Sequence, residues 1–505
     1  MNSRYLSATG PPTSAAVPAQ ARLEGSNERR AFLASAGLLV LVYLGWLLVF
    51  WPGVLGEDSS AILQEVDRPE HFRSGKSVFW YYFVRWTYGV THRVEVPVAI
   101  LLLLCALFFA RMLAWYWARG HRLLYAVLLV FVCAAPHMVY FMATLYPDAV
   151  FAVASCALLF ELWWICSQKR HSHASLALIA LALPFAVFVR ANGILFLAPA
   201  VVAIFLVHRK SRLPLCAIIG LWCALAYAGT QMHKPAAQSA TDSLVLFETV
   251  KLLQPRAMND LWQKQPLMND PWVLQSPKLS ARTLEILEGH APRQLMLAYS
   301  DPAYWDMLVF HPQGPQLFSL TEEQRKELAH EFLRYNLWHN LPDVTASRVN
   351  VLLSAALAQG GFPALDYARY VIKRTQAQSQ MRIFRLDSAE TALRGLLRQS
   401  HAWRWLLWTP WLGFALLAMV LWHGVRQKNV PALLISVPAA IHLIAIAVFA
   451  TAGEYRYLLP FFALTPALLA VLISRPSISG ANAVTTVSPK ALADSSDNPL
   501  ATHAL

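Results

Sequence analysis

Charge is scarce in this 505-residue chain. Asp, Glu, Lys and Arg make up only 14% of it, 57% is hydrophobic, and the mean hydropathy is +0.42. A soluble multidomain chain of that composition would aggregate, which leaves a polytopic membrane protein. Cysteine is scarce as well: all six (Cys105, Cys133, Cys156, Cys166, Cys216 and Cys223) lie in or beside apolar runs. The long polar stretch has none, which excludes a disulfide framework and zinc-ligand spacing. There is no Walker-type or dinucleotide glycine loop and no repeat of about 20–50 residues, so ATP-driven and redox chemistry find no support.

What charge there is carries a sign. The net value is +13, but the cations are spread through short loops beside apolar runs instead of being gathered on one polar face. That pattern belongs to membrane topology and excludes nucleic acid as a partner. A helix needs about 20 apolar residues to cross the hydrocarbon core, which predicts about ten spans, near 32–52, 94–113, 122–141, 149–167, 174–189, 193–207, 213–230, 405–422, 430–450 and 458–474. The fifth and sixth are short and joined by Arg190-Ala191-Asn192-Gly193, so they also read as one interrupted hairpin.

With a cytoplasmic N-terminus, the loops holding Arg111/Arg119/Arg122, Lys169/Arg170, Arg209/Lys210/Arg212 and Arg426/Lys428 all fall inside, together with Arg475. By the same parity, residues 53–93, 142–148, 190–192, 231–404 and 451–457 face outward. The resulting division is a disordered cytoplasmic tail (1–31), about seven spans (32–230), an extracytoplasmic insert (231–404), about three spans (405–474) and a second disordered cytoplasmic tail (475–505). No small-residue cleavage site follows the first apolar run, so the first helix is expected to be retained. The insert reads as mainly helical, with segments such as 321–340 and 344–358, and is long enough for its own core. It contains no Asn-X-Ser/Thr sequon, in keeping with a bacterial source.

In the first outer loop, 58–68 and 78–90 have short amphipathic patterns dense in aromatics, which predicts helices lying in the headgroup plane. Trp80, Tyr81, Tyr82 and Trp86 read most simply as an aromatic belt.

A charge at mid-membrane costs about 2.5–3.5 kcal/mol even on the lenient insertion scale, so ionisable groups at span ends on one side call for a reason. Glu57-Asp58 stands where the first span exits. A carboxylate there can accept a proton from a hydroxyl or amine, or hold a divalent cation, and Asp58 also suits a helix cap. Tyr146-Pro147-Asp148 opens the fourth span, where Asp148 again doubles as a cap. Arg190 and Arg456 are guanidiniums at headgroup depth, fitted to bidentate phosphate binding; snorkelling, or pairing of Arg456 with Glu454, are the plain alternatives. Lys76 and His92-Arg93 are weaker candidates, and His137 reads as a hydrogen-bonded interior histidine.

In this order, GVLGEDSS, TLYPDAVFAVASCALLF, FVRANGILFLAPA and GEYRYLLPFFAL resemble the GT-C superfamily of integral-membrane glycosyltransferases, which use polyprenyl-phosphate-linked sugars. The resemblance covers roughly 32–230 and 405–474. It implies an all-α GT-C-like fold in the cytoplasmic (inner) membrane. Asp58 or Glu57 would be catalytic base or metal ligand, Asp148 the second-loop acid, and Arg190 and Arg456 the grip on the lipid phosphate. Tyr146 and Glu454 would line the substrate site. Where many bacterial relatives carry a His-Pro element, this chain reads SGKSVFWYYFVRW, and Lys76 takes that place. The implied partners are the lipid-linked donor, a glycan, glycolipid or protein acceptor, and membrane lipids, with a divalent cation as optional cofactor. A lipid or glycolipid transporter or flippase is the chief rival, since it too places ionisable groups and helix breaks within the membrane.

Overall fold

A computed structural model describes residues 19–169, 171–233, 240–253, 278–408 and 410–474. Most of both expected tails therefore lies outside the described residues. The described chain is helical, and its extended pairing is limited to three isolated bridges.

The first ten α-helices are α1 (Ala19–Val49), α2 (Glu57–Asp67), α3 (Val78–Thr91), α4 (Glu95–Ala118), α5 (Arg122–Cys133), α6 (Pro136–Met142), α7 (Pro147–Gln168), α8 (His173–Val187), α9 (Leu197–Leu206) and α10 (Arg209–His233). The insert follows, and then the long helices Trp411–Arg426 and Val430–Phe449 and the stretch Tyr455–Ile473. Among the described residues seven helices are long and apolar enough to cross a membrane, or eight if α5 and α6 count as one span bent by 59°. The expected fifth and sixth spans are short apolar helices, His173–Val187 and Ala191–Leu206, joined through Arg190. Fifteen residues at 1.5 Å each give about 23 Å, less than the hydrocarbon thickness of about 30 Å. Of the expected ten or so spans, seven or eight thus have helices with the length and apolar character to cross, and the fifth and sixth are short, as their sequence suggested. Helix α1 starts at Ala19, so residues 19–31 continue the first helix where a disordered tail was expected.

Helix α7 is the hub. Nearly every residue along it is buried, and α4, α8, Val430–Phe449 and Leu459–Ala463 all pack on it. At one end of the bundle Arg111 bonds Glu161 at 2.8 Å and pairs with Glu28, tying α1, α4 and α7 together. Sequence parity placed Arg111 in a loop, whereas it lies within α4 and is buried. At the other end, Val54 bridges Thr144, and the first loop, the 143–148 turn, the 190 break, the insert and 451–457 all meet.

The insert has a core of its own, built from residues such as Phe247, Leu287, Leu308, Leu317, Leu328 and Val351. It is also fastened to the bundle through backbone. The segment 452–454 is extended and gripped on both sides, by an antiparallel bridge from Tyr304 to Ala452 and a parallel one from Gly360 to Glu454. Gly453 N donates to Ala303 O at 2.7 Å and Tyr304 Oη donates to Gly453 O at 3.1 Å. A Cβ on Gly453 would lie 2.6 Å from Ser354 Cβ, and only glycine permits that approach.

The aromatic-belt reading fails for two of its four residues. Trp80 and Tyr81 are fully buried beneath the first loop, Tyr82 is half-buried, and Trp86 is exposed. Helix α3 starts at Ser77, whose side chain accepts from Trp80 N, and ends at His92 in the left-handed region. The hydrophobic stripe of α3 therefore packs down onto the spans, with Phe79 and Phe83 against Phe185.

Removing one member of a buried ion pair strands the other, at a cost of about 3–5 kcal/mol. Arg111→Ala is expected to lower the melting temperature of the detergent-solubilised protein sharply. The triple variant Glu28→Gln/Arg111→Met/Glu161→Leu, which removes all three charges, should recover most of that loss in the same measurement.

Candidate functional site

Helix α2 begins at Glu57, with Gly56 N bonded to Ser59 Oγ at 3.3 Å, so both acids of the pair stand in its first turn. Their directions differ. Asp58 faces inward and receives Lys76 Nζ at 2.7 Å on one oxygen and Arg456 on the other. Glu57 is exposed and accepts a hydrogen bond from Tyr367 of the insert, apart from the charged cluster. Adjacent residues on a helix point about 100° apart, which separates them.

Pro147 supplies the fixed φ that opens α7, and Asp148 follows in its first turn, where the helix dipole favours a negative charge. Asp148 is 2% exposed and forms an ion pair with Arg190, which sits in extended conformation between α8 and the short 3-10 helix Ala191–Phe196. Arg456 pairs with Glu454 as well as Asp58 and stands 3.8 Å from Asp148. The Tyr457 ring lies between the two guanidiniums, 5.0 Å from Arg190 and 5.5 Å from Arg456, while Tyr146 faces Arg456 at 4.9 Å. Asp58, Lys76, Tyr146, Asp148, Arg190, Glu454 and Arg456 thus share one cluster.

The cluster lines a cleft. Protein surrounds these groups, yet Asp58, Lys76 and Arg190 side chains keep 24%, 23% and 24% of their surface open to water. Burial alone would raise the Asp58 carboxyl, but Lys76 and Arg456 beside it outweigh burial and hold it well below the usual carboxylate range.

Three residues with no sequence signal join the site. Tyr457 was read only as part of GEYRY. His442, mid-helix in Val430–Phe449 and buried, packs among Phe151, Phe196 and Phe461, with Arg190 near enough to act on its charge. Asp306 opens the short insert helix Asp306–Phe310, two residues beyond the Tyr304 bridge, and interacts electrostatically with Glu454, Arg456, Asp58 and Asp301.

His137 is 2% exposed, and neither ring nitrogen has a hydrogen-bond partner among the described residues, so the hydrogen-bonded reading is corrected. Its ring stacks on Trp408 and meets Phe462 and Tyr455. It borders an apolar groove of about 770 Å³ lined by Phe131, Trp403, Trp408, Trp411 and Phe462 beside the α5–α6 bend. Tyr455 links this groove to the charged cluster through chain continuity with Glu454 and Arg456. His92 and Arg93 stand apart, Arg93 on Glu95 at 3.3 Å and the His92 carbonyl accepting from Gln378 N.

Asp58, Asp148 and Glu454 are each paired with a cationic side chain, and the one close trio of acidic or imidazole ligands among the described residues is Glu327, His330 and Glu331, at the end of an insert helix.

No family model, no curated protein and no solved structure matches the chain.

Because the folded Asp58 carboxyl is lowered, its pairing contributes stability that is complete above the unfolded value of about 3.9 and is lost only as pH falls further. Asp58→Asn is expected to cost about 1–3 kcal/mol. The gap in melting temperature between wild type and variant should stay constant from pH 8 down to about pH 5, then shrink in stronger acid.

Proposed function

We propose that this chain is a GT-C-like membrane glycosyltransferase that moves a sugar from a polyprenyl-phosphate carrier to an acceptor at the outer face of the bacterial cytoplasmic membrane. One observation carries the reading: two guanidiniums and an ammonium from three distant stretches stand with carboxylates in a water-accessible cleft at the bundle end where loops gather. Arginine presents a planar fork that matches phosphate, and low-dielectric surroundings strengthen its hold on charge developing at the leaving oxygen. The adjacent apolar groove, lined by three tryptophans, has the character an isoprenoid chain requires, and Tyr455 joins it to the charged end.

In this reading both termini are cytoplasmic, and no soluble nucleotide is needed on the outer side. The acceptor attacks the anomeric carbon with inversion while the carrier phosphate leaves beside Arg190 and Arg456. A transporter is the weaker reading, because Asp58, Asp148, Arg190, Glu454 and Arg456 all sit at helix ends or breaks at one bundle end instead of along a path through it.

The test is mass spectrometry of envelope glycans and glycolipids from a deletion strain complemented with wild type, Asp58→Asn or Arg190→Ala. Wild type should restore a sugar that the deletion lacks, and Arg190→Ala should cut its transfer by about 10²–10³-fold, the usual cost of a lost charge-stabilising donor. An unchanged sugar inventory in the deletion strain, under conditions where the wild-type chain is expressed, would refute the transferase.

A further inference from the structure

Four carboxylates stand in the cluster or at its edge, and their surroundings set them apart. Both oxygens of Asp58 are taken, one by Lys76 and one by Arg456. Asp148 is closed off from water behind Arg190. Glu454 is bound to Arg456 and is 11% exposed. A carboxylate held by a cation is a poor proton acceptor, because the partner stabilises the charge that protonation would remove.

Asp306 is different. It makes no hydrogen bond and no ion pair among the described residues, and it is exposed to water. Its position is fixed by backbone: the bridge from Tyr304 to Ala452 and the bond from Gly453 N to Ala303 O clamp the 303–306 segment against the strand that leads into Glu454 and Arg456. Asp301 closes the preceding turn by accepting from Ala303 N at 2.7 Å and Tyr304 N at 3.0 Å. The insert therefore delivers one unpaired carboxylate to the edge of a cluster in which every other acid is matched.

We propose that Asp306 is the general base that takes the proton from an acceptor hydroxyl, so that the insert supplies a catalytic group as well as a cover. The inference rests on the transferase reading and deepens it by assigning the proton. In the step, the acceptor O–H bond gives its proton to an Asp306 oxygen, and the acceptor oxygen's electron pair forms the new bond to the anomeric carbon. The anomeric C–O bond to phosphate breaks with its electrons going to the phosphate, which leaves beside Arg190 and Arg456. Asp58 then serves to hold Lys76 and Arg456 in place.

The electrostatics agree. Burial and the like charges of Glu454, Asp58 and Asp301 push the Asp306 carboxyl up to about 6, with Arg456 acting in the opposite sense. A base poised there is mostly ionised at neutral pH and still accepts a proton readily.

The test uses the full-length protein in detergent with undecaprenyl-phosphate-linked hexose and pentose as donors and membrane vesicles from the deletion strain as acceptor. Release of undecaprenyl phosphate and labelling of vesicle glycans are followed from pH 5 to 8. Wild type should show activity rising through about pH 6 to a plateau, as for a base that must be ionised. Asp306→Asn should lower the plateau by about 10²–10⁴-fold and flatten that rise, and Asp306→Glu should retain the rise with a partial rate. Melting temperatures within a few degrees of wild type exclude a folding defect. Should Asp306→Asn keep both rate and pH profile, the base assignment falls while the transferase stands. Should wild type transfer nothing from either donor, both fall.

Discussion

In low-dielectric surroundings a guanidinium cannot stay unpaired, and Arg456 meets that requirement by drawing on chain segments far apart in sequence. Asp58 comes from the first loop, Glu454 from two residues upstream, and Asp148, at 3.8 Å, from the start of α7. Tyr146 and Tyr457 add ring faces to its sides. Swapping such a network for apolar residues of similar volume is often neutral for stability, whereas breaking one member is costly. The geometry of the cleft is thus fixed by the need to match charges, and the spans around it are held in the one arrangement that brings these partners together.

The insert belongs to the same arrangement. Its bridges at Tyr304 and Gly360 place the extended segment 452–454 at the centre of a three-segment clasp, and Gly453 is the point where backbone, Ser354 and Ala303 come closest. Beyond the clasp, residues 363–382 run over the same end of the bundle. Tyr140 donates to Pro363 O, Tyr367 to Glu57, Gln376 N to Asp67 at 2.8 Å, and Arg382 to Trp51 O at 2.9 Å. These contacts land on α6, on both ends of α2 and on the exit of the first span. The cleft and its cover are consequently one folded unit, despite the insert's separate core.

Much of this was legible because membranes make a few signals strong. Apolar length gave the approximate positions of the spans, since a helix is the only open-ended way to satisfy backbone groups in lipid. The rarity of charge at span ends picked out Asp58, Asp148, Arg190, Glu454 and Arg456, all of which the structure brings together. The errors have physical causes too. Glu57 was grouped with Asp58 by adjacency, but helical geometry turns neighbours to different faces. Trp80 and Tyr81 looked interfacial because aromatic density is the same in a belt and in a core. Arg111 was assigned to a loop because its partners, Glu28 and Glu161, are 83 and 50 residues away. Asp306, in a polar segment where acids are common, had nothing in sequence to mark it; only the bridge at Tyr304 carries it to the cleft.

The pairing of Arg190 with Asp148 shows how a charge-matched site can still receive an anion. Asp148 is 2% exposed and Arg190 24%, so the carboxylate is enclosed while part of the guanidinium side chain stays open to water. Five N–H groups on a planar fork leave several free after one carboxylate is served. An incoming phosphate would then meet an arginine already desolvated on one side and fixed in direction, and binding would not have to order a flexible side chain first. On this view Asp148 positions and does not react: it is too enclosed to reach a substrate, and its service is to aim Arg190. The same logic separates the carboxylates by surroundings, with Asp148 and Glu454 enclosed against the arginines, Asp58 between Lys76 and Arg456, and Asp306 exposed and unpaired among the described residues. That difference in enclosure, which no linear reading of residue types conveys, is what sets the three matched carboxylates apart from the proposed base.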